Sequence, residues 1–182
     1  AELHWENFAK VWKDGNILRS YGNSLFITVT SVAISVLISA LCAFVLSRNR
    51  NRFNRALYVF FSLGLMFPLN MVSVVKVMRT LGLYNSLFYG FLGGIPQELD
   101  EAAVMDGAGS ARLFFQIILP VVKPVTVTVV MINFLNAWND FTIPLYLLPD
   151  PDKSVVLQQV YRFYGTFTAS WNLVSVTILF AI

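Results

Sequence analysis

The sequence predicts an all-α fold: a polytopic transmembrane helical bundle that carries one short polar helix outside the lipid. Three observations predict it, namely the composition, two long uncharged runs, and an acidic segment that interrupts the apolar pattern. Of the 182 residues, 57% are hydrophobic and 13% charged, whereas a water-soluble domain carries about a quarter charged residues. No Asp, Glu, Lys or Arg occurs from Asn23 to Ser47 or from Ala56 to Val75. Runs of about 20 apolar residues match the hydrocarbon core of a bilayer when helical. Helices also pair their own backbone polar groups there, and the alternation of a β-barrel is absent.

Residues 1–22 read as an external amphipathic lead-in, with Trp5, Phe8, Val11, Trp12 and Tyr21 set among charges. Aromatic rings of this kind favour the membrane interface. No signal peptide is visible in Ala1 to Lys13, which mixes polar, aromatic and charged residues. The first span is 23–47. Ser31, Ser35, Ser39 and Ala43 recur along it every four residues, a small-residue stripe suited to close helix packing. Four arginines, Arg48, Arg50, Arg52 and Arg55, follow in a short loop. Short loops rich in Lys and Arg stay cytoplasmic, which orients the first span from outside to inside. The second span, 56–78, returns outward and contains Gly64 and Pro68, so a kink is expected near Phe67-Pro68-Leu69-Asn70.

Counting crossings then exposes a conflict. Residues Lys76 to Gly90 fall outside, yet the acidic segment beginning at Ile95 reads as cytoplasmic. Only Leu81 to Gly94 separates them, about 14 residues, short of the roughly 17 to 25 that a spanning helix needs. The expectation is a whole span missing near 90/91, with a Cα separation there far above about 3.8 Å. Further on, 121–148 forms another span, with Lys123 and Pro124 at its cytoplasmic start. Pro149 to Lys153 is a turn, and Val155 to Phe167 an amphipathic element for the outer interface. A last span begins at 170–182 and stops before about 20 residues are reached, so the carboxyl end reads as truncated.

The chemistry-bearing stretch is 95–107. Pro96 suits a first helical turn, where its missing N–H costs nothing. Glu98, Asp100 and Glu101 crowd the amino end, where the helix dipole favours negative charge. Asp106-Gly107 reads as the stop, with Gly107 taking the left-handed cap, and Ser110 as the N-cap of the next helix. Leu99, Ala102, Ala103 and Asp106 share a face at helical spacing. A helix this acidic does not cross lipid, and one this short depends on packing against something else.

Glu101-Ala102-Ala103, then Gly107, Ile117 and Leu119-Pro120, match in type and spacing the EAA signature of binding-protein-dependent ABC importer permeases, and the chain is identified as resembling that family. Asn23-Ser24-Leu25, the arginine loop, Met66-Phe67-Pro68 and Trp138-Asn139-Asp140-Phe141 resemble its carbohydrate-uptake branch, in particular the smaller permease of the maltose and multiple-sugar type. The resemblance implies the type I permease fold in a bacterial or archaeal cytoplasmic membrane. It implies that Glu98, Glu101, Ala102, Ala103, Met105, Asp106 and Gly107 couple the chain to a separate ATPase. The implied partners are a homodimer or heterodimer of ATP-binding subunits, a second homologous permease, an extracytoplasmic solute-binding protein and membrane lipid, without nucleic acid. ATP and Mg²⁺ belong to the partner ATPase, because no G-x-x-x-x-G-K-[ST] loop occurs in this chain. With one His (His4) and one Cys (Cys42), no cofactor or His/Cys metal set is expected.

Polar residues within spans mark pathways or interhelical hydrogen bonds. Asn133, Asn136 and Asp140 fall on one helical face, with Trp138, Asn139 and Tyr146 close in sequence. Amides beside aromatic rings suit sugar hydroxyls and the apolar faces of sugar rings. Asn70 and Ser73 are weaker pathway candidates, and Asp140 also suits a helix cap. The alternatives are a permease for a non-sugar solute such as a glycerol phosphate, polyamine or amino acid, and a secondary transporter or channel subunit. The last would place paired ionisable residues at mid-membrane, and the long runs hold almost none.

Overall fold

The computed structural model describes residues 5–49, 51–63, 65, 73–164 and 171–181. The described elements are helical: α1 (Trp5–Asp14), α2 (Ile17–Arg48), α3 (Arg52–Leu63), α4 (Ser73–Leu92), α5 (Glu98–Met105), α6 (Ser110–Val121), α7 (Lys123–Trp138), α8 (Thr142–Leu147), α9 (Val156–Tyr164) and α10 (Trp171–Ala181). They form two compact units, one of 1–31 with 134–182 and one of 32–133. The kink expected at Phe67–Asn70, and with it Asn70, lies outside the described residues.

In the first unit, α1 turns into α2 at Asn16, whose φ of 45° is left-handed. The first span therefore starts at Ile17, six residues earlier than its uncharged run suggests, because Arg19 is accommodated by an ion pair to Asp152 at 2.9 Å. The lead-in is also more than an interfacial ribbon. Val11 and Ile17 are fully buried with Val176, and Phe8 and Trp12 meet Phe180 at ring separations of 6.1 and 5.8 Å. The start of α2 is laced to the loop before α9. Asn23 Nδ2 donates to the carbonyls of Asp152 and Ser154 at 3.0 and 3.1 Å, and Ser24 Oγ accepts the Val156 N–H at 2.9 Å. Gln159 Nε2 donates to Ser20 Oγ at 3.1 Å. Ser24 thus satisfies the open Val156 N–H at the start of α9, while Gln158 Oε1 of α9 accepts the preceding Val155 N–H at 2.8 Å.

In the second unit, α3 and α4 run antiparallel. The Tyr58 and Tyr89 rings meet at 4.4 Å with their planes tilted by 31°, and the carbonyl oxygen of Phe61 lies 2.3 Å from where a Cβ on Gly82 would stand. The described helices within the 56–78 run are α3, to Leu63, and the 20-residue α4, from Ser73, with 66–72 outside the described residues. The expected break near 90/91 is absent, since α4 runs through Gly90 and Phe91 and the Gly93 N–H donates to Tyr89 O at 3.0 Å. The return toward the acidic segment comes from α4 itself.

The run 121–148 is likewise divided. Pro124 has no N–H for the Pro120 carbonyl and its ring crowds that group, so the chain breaks at Val122 and α6 and α7 meet at 79°. Inside α6, residues Leu113–Ile118 form a π-helical turn, with the Leu119 N–H donating to Phe114 O. Pro120 supplies the cause, because the wider turn relieves the Gln116 carbonyl that Pro120 can neither bond nor clear. Among the described residues α2 alone is long and apolar enough to cross a bilayer, and the bent pair α6–α7 passes the same test only if taken together.

Candidate coupling helix and pathway residues

The eight residues of α5 are placed by their two ends. At the start, the N–H groups of Asp100 and Glu101 donate to the Gln97 carbonyl at 2.9 and 3.0 Å. The helix thus begins at Glu98, and Pro96 stands two residues before it instead of inside its first turn. Glu98, Asp100 and Glu101 fill that turn, at the positive end of the helix dipole. At the other end Gly107 has φ +78°. Its N–H donates to Val104 O and the Ala108 N–H to Ala103 O, both at 2.9 Å. These are the two bonds of a Schellman stop. The next helix is capped differently from expectation: Gly109 is its N-cap and Ser110 its first helical residue, with no side-chain cap bond.

One ion pair fixes how α5 is held. Arg48, the last residue of α2, donates from Nη2 to Asp100 Oδ1 at 3.1 Å, and its Nη1 donates to Ile95 O at 3.3 Å. Arg48 Nε lies 2.5 Å from Asp100 Oδ2 without hydrogen-bond geometry, so that second contact is Coulombic. Both side chains are about 15% exposed, at 14% and 16%, which leaves the pair poorly screened. The sequence reading treated Asp100 only as a dipole-matching acid. Its partner is 52 residues away, and no local signal marks it.

With Asp100 drawn inward and Ala103 only 5% exposed, the outer surface of α5 is formed by other residues. Glu98, Glu101, Ala102, Asp106 and Gly107 are exposed, and Met105 is 87% exposed. Ala103 is therefore corrected from a docking residue to a packing residue of this chain. Val104, 59% exposed, was missed, although its place beside Met105 is readable from helical spacing. The result is a projecting knob with an acidic end, two bare apolar side chains and a glycine stop.

The pathway residues are not brought together as one cluster. In the second unit Asn133 is buried and donates from Nδ2 to Ser35 Oγ on α2, so it makes the interhelical bond that was the alternative to a pathway role. In the first unit Asn136 and Tyr146 are exposed. Trp138 stacks on Phe134 at 5.8 Å and lies 6.1 Å from Tyr21. Asn139 Nδ2 donates to Leu135 O at 2.9 Å. Asp140 Oδ1 accepts the N–H groups of Thr142 and Ile143 at 3.1 and 3.4 Å and so caps α8. Ser73 is the first residue of α4.

Residues 25–182 match the family described as binding-protein-dependent transport system inner membrane component. The chain is 33% identical to the diacetylchitobiose uptake system permease protein NgcG of Streptomyces coelicolor, covering 97% of this chain and 68% of that one. It is 30% identical to the multiple sugar-binding transport system permease of Streptococcus mutans (97% and 75% covered). It is 28% identical to the melibiose/raffinose/stachyose import permease of Bacillus subtilis (100% and 73%). These three alignments run over 207, 211 and 202 positions, all more than the 182 residues of this chain. Each relative therefore carries internal positions with no counterpart here. The fold is similar to that in the crystal structure of a bacterial ABC transporter involved in the import of the acidic polysaccharide alginate. The TM-score is 0.82 at 19% identity, over 99% of this chain and 75% of that one.

Proposed function

The chain belongs to the binding-protein-dependent transport system inner membrane components, and on that premise we propose that it forms half of the translocation pathway of an ATP-driven importer for a sugar or oligosaccharide. The observation that carries the reading is α5, an acidic, capped, exposed helix fastened to the end of α2 by Arg48 and Asp100. A partner that seats Glu98, Glu101, Ala102, Met105, Asp106 and Gly107 moves α2 through that ion pair. Small side chains at Ala102 and Gly107 admit close approach, Met105 offers an adaptable apolar contact, and Glu101 offers a charge for a partner Arg or Lys.

The partner is a separate ATPase that holds ATP and Mg²⁺, so this subunit is not itself an enzyme. A second homologous permease and an extracytoplasmic solute-binding protein complete the assembly. The chain crosses the membrane several times. Sugar cargo is supported by the named substrates of the relatives and by the aromatic and amide residues Trp138, Asn136, Asn139 and Tyr146. Reconstitution with the ATPase, second permease and binding protein tests the reading. Glu101→Lys is expected to leave the assembly's basal ATP hydrolysis and abolish its link to labelled-oligosaccharide uptake; uptake at the wild-type rate overturns it.

A further inference from the structure

A second site lies where α2 ends and α3 begins, and nothing in the transport reading uses it. The cavity there measures about 480 Å³. Its polar side is formed by Arg55 with the amide side chains of Asn49, Asn51 and Asn54. The rest of its lining is Leu46, Val59 and the tilted ring pair of Tyr58 and Tyr89. Asn54 is held in place, since its Nδ2 donates to Asn49 O at 2.9 Å.

The electrostatics of this cavity are one-sided. It opens at the amino end of α3, whose first turn holds no acidic residue and begins with Arg52. A helix amino end carries a partial positive charge and free N–H groups, and here no acidic residue of the first turn offsets it. Arg48 is neutralised by Asp100, but among the described residues Arg55 makes no ion pair. Apolar side chains along α3 stand bare: Val59 of the cavity lining is 49% exposed, and Phe53 and Phe60, on α3 but outside the lining, are 72% and 52% exposed.

We infer that this cavity binds the headgroup of an anionic glycerophospholipid, with the phosphodiester on Arg55 and the acyl chains lying over Val59, Phe53 and Phe60. A soluble anion would use the guanidinium and amides and leave the apolar half wet. A neutral lipid would use the apolar half and leave Arg55 uncompensated. Only an amphiphile with a negative head meets both halves. The inference rests on the family's membrane setting and on the short arginine loop facing the cytoplasm; it is independent of the cargo.

The test uses the full chain purified in a neutral detergent, with the thermal unfolding midpoint read against added dihexanoyl-phosphatidylglycerol. A saturable rise is expected with this lipid and not with dihexanoyl-phosphatidylcholine. Arg55→Gln should weaken the apparent affinity by about tenfold, the size of a lost charge-assisted contact. Arg52→Gln removes the same charge outside the cavity and should stay within about twofold, as expected for an exposed, screened charge. Val59→Trp fills the cavity without changing charge and should also weaken binding by about tenfold, which covers the case in which the Arg55 variant does not fold. Equal weakening by Arg52→Gln and Arg55→Gln, wild-type affinity in Val59→Trp, no shift at all, or an equal shift from inorganic phosphate or the choline lipid each overturns the inference.

Discussion

Two glycines have distinct structural requirements. At Gly107 the constraint is conformational: φ is +78° and a Cβ there would meet nothing within 4 Å. A non-glycine residue in this region costs roughly 1–2 kcal/mol, with Asn tolerated best. Gly107→Val is therefore expected to fray the α5 stop and lower uptake per ATP hydrolysed, while Gly107→Asn keeps most of it; a reconstituted uptake and hydrolysis ratio distinguishes them. At Gly82 the constraint is space. The Phe61 carbonyl would lie 2.3 Å from a new Cβ, and backbone cannot rotate away as a side chain could. Gly82→Ala should lower stability by about 1–3 kcal/mol, the usual cost of overpacking, read as a fall in the thermal midpoint. Gly107 was legible in the sequence because Asp-Gly after a helical run is local chemistry. The role of Gly82 was not, since its neighbour sits on another helix.

The same division between local and distant causes holds for whole elements. The existence of α5 and its stop could be read from acids, periodicity and a glycine. Its fastening could not, because Arg48 and Asp100 meet only after α2, α3 and α4 have folded. Removing one member of a poorly exposed ion pair strands the other and costs about 3–5 kcal/mol, whereas replacing both with apolar residues is often neutral. Arg48→Met alone should thus destabilise strongly in a thermal melt, and Arg48→Met with Asp100→Leu should recover much of the loss while still impairing coupled uptake. Element α9 shows the mirror case. Its amphipathic pattern was legible, but its cap comes from Ser24 of α2 at 2.9 Å. Ser24→Ala should cost about 0.5–2 kcal/mol, detectable as faster amide exchange at Val156. The π turn of α6 and the 79° bend after it follow from Pro120 and Pro124. Hydropathy is blind to both, since proline spacing acts on hydrogen bonds and leaves the apolar pattern unchanged.

For the molecule as a whole, the sequence reading counted crossings from apolar runs and found one too few. Hydropathy merged parts of α3 and α4 into a single run, because no charged residue falls between Ala56 and Val75. In the structure α4 runs through Gly90 and Phe91, and Arg48 Nη1 at the end of α2 reaches Ile95 O at 3.3 Å. A difference in length from the three relatives named above persists, the shortest of those three alignments running over 202 positions against 182 residues. That excess is close to the roughly 20 residues of one span. Residues enough for one span in that relative thus have no counterpart in this chain. The consequence is a sided prediction built on α2, whose 32 residues make a helix about 48 Å long. Its start is tied to the loop at Asp152 through Asn23, and its end to α5 through Arg48. In sealed inside-out vesicles carrying Cys42→Ser, single cysteines at Asn51 and Glu98 should react with an impermeant maleimide, and cysteines at Asn16 and Asp152 should react only after the vesicles are opened. Labelling of all four sites from one side would remove α2 as a crossing helix and with it the route by which α5 drives transport.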